Sequence, residues 1–147
     1  MQQVLETQPD FTPAVIDAVC LITVERRNLN HHAAVIGRVL MTLARLDIPV
    51  LLMSQSSHQG NFCVVIPQDE VDRALNALVT ELSPGREQHN AVRLLVKTDV
   101  AILKASTAFC NHLAARGVNI LAIAQGAAGY GVSLVVDAAS VPHVRVM

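Results

Sequence analysis

The chain has 147 residues, 52% of them hydrophobic and only 3% aromatic, with a formal net charge of -1. A near-neutral balance and a single tyrosine offer neither the basic surface nor the stacking platform that nucleic acid selects for, so nucleic acid is excluded as a partner. No run of about 18 apolar residues offers a membrane span, and the N-terminus has neither a basic region nor an apolar stretch for export, so a cytoplasmic protein off the membrane is expected.

Residues 1–18 are polar and punctuated by Pro9 and Pro13, which predicts an N-terminal arm. Residues 19–24 are a compact β-branched run, read as a strand, and 25–32 a polar loop. Asn30 is placed to cap a helix in which Ile36, Val39, Leu40, Leu43 and Leu46 recur at helical spacing, with Arg38, Thr42 and Arg45 on the opposite face. Residues 48–55 and 61–66 then read as strands joined by a hairpin-length connection. Asp69 can cap a second helix with Val71, Leu75, Leu78 and Leu82 on one face, and Ser83, Pro84 and Gly85 stop it.

The rest of the chain repeats this plan. Residues 47–55 recur as 117–125 at an offset of 70 residues, and the same offset carries Val39 onto Phe109, Leu43 onto Leu113 and 64–66 onto 134–136. The repeat predicts a strand at 91–96, a short loop at 97–103, a helix over 106–116 ended by Gly117, and strands at 118–125 and 132–136. The tail after 136 is too short for another full helix and strand. Two ferredoxin-like units of the α+β class follow, 19–90 and 91–147, each an antiparallel sheet with helices on one face. Units of this size bury only ~60% of their unfolded surface, so the bare sheet faces and the apolar excess predict self-association into a homo-oligomer.

Each copy ends a strand on a glutamine, Gln55 or Gln125, and a duplicated polar position on an otherwise apolar element marks a ligand site. Other chemistry is thin. Gly126, Gly129 and Gly131 lead into a strand, which suits a hairpin turn and not a phosphate loop. His31 and His32 have no spaced partner ligand, so they read as exposed loop residues and no metal or cofactor is expected. Cys20, Cys63 and Cys110 sit among apolar residues, as free buried thiols do. No nucleophile, base and orienting acid stand in a recognisable set, so no catalytic residue is expected.

The segments 48–57 with 62–68, and 118–126 with 132–136, resemble the tandem ACT regulatory region of aspartokinases, most closely that of the bifunctional aspartokinase/homoserine dehydrogenases. The resemblance covers roughly residues 19–141 and implies two ACT units that bind an end-product amino acid, threonine or lysine, and restrain an attached kinase catalytic domain in aspartate-family biosynthesis. It implies effector contacts at Gln55, Gln125, Met53 and Ile123, with Arg26, Asn28 and Asn30 from the first loop. The chain departs from the family at that loop, where glycines let backbone N–H groups approach the effector carboxylate. Arg26, Asn28, His31 and Ala34 stand at the glycine positions. Arg26, Arg27 or Lys97 could grip the carboxylate by charge instead, or the loop is a charged segment in water and the chain a ligand-silent interaction module.

Overall fold

The computed structural model describes residues 14–26, 32–55, 61–82, 92–106, 108–125 and 131–142. In chain order these form β1 (Ala14–Arg26), α1 (His32–Arg45), β2 (Leu52–Gln55), β3 (Phe62–Pro67), α2 (Val71–Leu82), β4 (Val92–Ser106), α3 (Phe109–Ala115), β5 (Ile120–Gln125) and β6 (Gly131–Asp137). Two compact units emerge: an inner unit, Ala18–Thr98, and an outer unit that combines Met1–Asp17 with Asp99–Met147.

Both long strands cross the division between units. Ala18 in β1 and Asp99 in β4 each take the left-handed backbone at φ 58, so each strand kinks at the residue where it changes unit. The strand expected at 19–24 therefore starts at Ala14, and Val15, placed in the N-terminal arm by sequence, packs into the outer core. Residues 97–103, expected as a loop, are the middle of β4. Their physical reason is plain: Val100, Ala101, Ile102 and Leu103 are all at most 1% exposed, and a continuous apolar run of this kind suits a strand buried on both faces.

Within the inner unit the strand order is β2-β3-β1-β4. β3 lies between β1 and β2 and is antiparallel to both, which is the split βαβ arrangement of the ferredoxin-like fold. The helix-covered face of this sheet carries Cys20, Ile22, Val24, Phe62, Val64 and Ile66, packed against Val35, Val39 and Leu43 of α1 and Ala74, Leu78 and Leu82 of α2. Full burial of each large apolar side chain contributes about 1.5–3 kcal/mol. The stripe predicted for α1 holds, with Ile36, Leu40 and Leu46 on its half-buried margins. Thr42, assigned to the polar face, is buried because its hydroxyl donates to the Arg38 carbonyl at 2.7 Å. Asp69 does not cap α2 but lies in the 3-10 turn Gln68–Glu70 that leads into it.

The outer unit repeats the order with β5-β6-β4-β1. Ala101, Leu103, Val132, Leu134 and Val136 pack against Phe109 and Leu113 of α3 and against Val141. α3 starts at Phe109 and not at 106, because Ser106 is still paired with Gly131 in the sheet. Gly117 ends the helix as predicted, at φ 70. All three cysteines are free, but only Cys20 is buried; Cys63 and Cys110 are half-buried.

Candidate functional site

The β2–β3 register sets Gln55 opposite Phe62 and Met53 opposite Val64, and the β1–β3 register sets Val24 opposite the same Phe62. Side chains alternate along a strand, so Met53 and Gln55 share the face that carries Phe62 and Val24, beneath the helices. Two residues beyond Val24, Arg26 lies on that face as well and is 5% exposed, with Nε and Nη1 buried. Burial pushes its pKa down, since desolvation disfavours the charged form, yet a guanidinium keeps its charge at any physiological pH. Gln55, at the strand end, is exposed.

His32 is the first residue of α1 and not the last of a loop. Its ring meets Phe62 edge-on, with centroids 5.9 Å apart and planes at 76°. Its Nδ1 is buried and makes no hydrogen bond among the described residues. Sequence reasoning passed over this residue, although an N-cap at Asn30 already placed it in the first helical turn. Asn28 and Asn30 lie outside the described residues.

In the outer unit Gln125 stands opposite Val132 and Ile123 opposite Leu134, which is the register of Gln55 and Met53 carried forward by the repeat. The cover differs. α1 spans 14 residues and α3 only 7, and because Phe109 matches Val39 the first two turns of α1 have no helical counterpart. Ile123 is consequently 49% exposed where Met53 packs against a core. The fold thus gathers Arg26, Met53 and Gln55 at one sheet end, and Ile123 with Gln125 at the equivalent end of the other unit. Lys97 lies in the inner-unit part of β4. The outer counterpart of β1 is the second half of β4, since Ala101 pairs with Val136 as Cys20 pairs with Ile66.

A separate concavity of about 530 Å³ lies between α1 and α2, where Thr42, Arg45, Asn76 and Thr80 line it. Its other charged groups, Glu81 and Arg73, are engaged, Glu81 by Arg38 at 3.2 Å and Arg73 by Glu70 at 2.6 Å. Among the described residues no group of His, Cys, Asp and Glu could hold a metal ion. No helix among them is long and apolar enough to cross a membrane.

Residues 22–82 match the ACT domain family model. The chain is similar to a chloroplastic bifunctional aspartokinase/homoserine dehydrogenase of Arabidopsis thaliana, 25% identical over 134 residues, which cover 84% of this chain and 15% of the relative. It therefore spans a small part of the curated relative that it matches. Among solved structures it resembles the ligand-free regulatory subunit of aspartate kinase from Thermus thermophilus, with a TM-score of 0.73 at 18% identity, over 90% of this chain and 92% of that one. It also resembles E. coli aspartokinase III in complex with lysine and aspartate, with a TM-score of 0.66 at 22% identity, over 90% of this chain and 30% of that one. At these identities the structural likeness establishes the fold.

Proposed function

We propose that the chain, whose residues 22–82 match the ACT domain family model, is an amino-acid-sensing regulatory module of an aspartokinase-type enzyme. The effector is a small amino acid, threonine or lysine, and it sits at the sheet end under α1. The observation that carries the reading is the convergence of an exposed amide, Gln55, and a buried guanidinium, Arg26, on the two strands that flank Phe62. Gln55 supplies a carbonyl acceptor for the ligand ammonium and N–H donors for its carboxylate or hydroxyl, Arg26 supplies charge, and Met53 forms the apolar wall. The family resemblance adds Asn28 and Asn30 as effector contacts. Gln125 and Ile123 form the weaker counterpart, because the shorter α3 leaves it uncovered.

Regulation follows from differential affinity: a ligand that favours one arrangement of the regulatory units shifts an attached or associated kinase catalytic domain by that difference and no more. Self-association of these modules would place such arrangements under effector control. A ligand-silent interaction module is the second reading, and the replacement of the loop glycines by Arg26, Asn28, His31 and Ala34 favours it. A thermal-shift screen against the twenty amino acids separates the two. A binder gains RT ln(1 + [L]/Kd), about 2.7 kcal/mol at a hundredfold excess over Kd, whereas a silent module gains nothing.

A further inference from the structure

The site proposed above contains a buried polar atom that makes no hydrogen bond among the described residues. His32 Nδ1 is buried, and a buried polar atom without a hydrogen bond is kept at a cost that a bound partner would remove. The rest of the ring is accounted for: it is held edge-on against Phe62, which fixes where the nitrogen lies. Phe62 is also the residue that Gln55 and Val24 face across the sheet, with Arg26 two residues beyond Val24 on the same side. His32 of α1 meets this ring directly, Gln55 stands opposite it from β2, and Arg26 follows on the same face of β1. The charge among them is positive, and His32 opens a helix 14 residues long, whose first backbone N–H groups add positive potential.

We infer that His32 is an effector-contacting residue of the inner unit, its Nδ1–H donating to the carboxylate of a free α-amino acid on the side where Arg26 supplies charge. This rests on the reading of the chain as an amino-acid sensor. It also explains how the chain binds an effector carboxylate without the family's glycine-rich loop: two side-chain donors fixed by packing take the place of backbone N–H groups. The ligand class follows. The site takes a molecule with a free carboxylate and discriminates against its amide, which carries no charge for Arg26 and places an N–H where His32 donates.

The test is calorimetry on the full chain with threonine, lysine and their carboxamides, using wild type, His32→Leu and His32→Asn. Leucine keeps the bulk against Phe62 and removes the donor; asparagine returns an N–H close to the position of Nδ1. We expect the carboxamides to bind at least tenfold more weakly than the acids. His32→Leu should lose about tenfold in affinity for the acids, and His32→Asn should recover most of it. Loss of affinity in both variants alike, without rescue by asparagine, would assign His32 a packing role and overturn the inference. So would a His32→Leu chain that binds as wild type does, and that outcome would leave the sensor reading standing. A wild-type chain that binds neither amino acid overturns the sensor reading itself, and this inference with it.

Discussion

Asp47 and Gly117 occupy the same left-handed position at the ends of equivalent helices, at φ 55 and φ 70. In the inner unit Ile48 N–H donates to the Leu43 carbonyl at 3.0 Å, and in the outer unit Val118 N–H donates to the Leu113 carbonyl at 3.0 Å. The turn is one structure built twice, once with the residue it prefers and once with a residue that has a Cβ. An L-residue in this region costs about 1–2 kcal/mol, somewhat less for aspartate, and glycine returns part of the gain as unfolded-chain entropy. Asp47→Gly should therefore stabilise the chain by roughly 0.5 kcal/mol, raising the melting temperature by about 1–3 °C. A calorimetric scan of the variant that showed a lower melting temperature would contradict this.

The two glutamines share a register but not a cover, so they should not contribute equally. Gln55→Ala removes an amide from the proposed inner site, where the neighbouring Met53 packs against the core, and should weaken effector binding by roughly 0.5–1.5 kcal/mol, up to about tenfold. Gln125→Ala acts where Ile123 is 49% exposed, and there the change should be smaller. Titration of both variants with the best effector checks the ranking; equal losses would mean that the length of the helix does not decide which site works.

The register of both hairpins was legible in the sequence because each repeats without insertion, which carried Met53 and Gln55 onto Ile123 and Gln125. The amphipathic stripes of α1 and α2 were legible for the same kind of reason, a periodic apolar face. What escaped was the boundary between units. A strand that passes from one unit to the next needs no turn residues, and the kinks that make the crossing fall on Ala18 and Asp99, where no glycine or proline gives warning. The repeat itself was misleading there: the first strand of the outer unit lies in the second half of β4, so an alignment anchored on the hairpins ran out before reaching it. The contact of His32 with Phe62 was not legible because it joins positions thirty residues apart, which local reading cannot see.

Gly131 is required by a neighbour and not by its own backbone. A Cβ at this position would lie 2.9 Å from the Ala105 carbonyl oxygen, a backbone atom that cannot swing aside. Gly131 is paired with Ser106 at the end of β4, so relief would have to come from separating the strands. Gly131→Ala should cost about 1–3 kcal/mol by the same overpacking argument that applies in cores. Urea unfolding measures it directly, and a midpoint unchanged from wild type would show that the strand end yields without resistance.

Alkaline stability should report the buried thiols. Burial raises the pKa of both Cys20 and Cys63 above the ordinary 9.0, and for Cys63 a backbone hydrogen bond at Ser54 offsets only part of the effect. Below pH 9 the thiols are neutral in the folded and unfolded chains and add no pH dependence. As the pH rises past 9 the unfolded chain ionises first and binds fewer protons, so stability falls until the folded thiols ionise as well. Unfolding free energies measured between pH 8 and pH 10.5 should therefore decline more steeply for wild type than for a chain with Cys20→Ala and Cys63→Ala. The comparison is of slopes, since the alanine chain starts from a lower baseline through the small cavity left at Cys20. Parallel slopes would assign the alkaline loss to other groups and leave the thiols without a part in it.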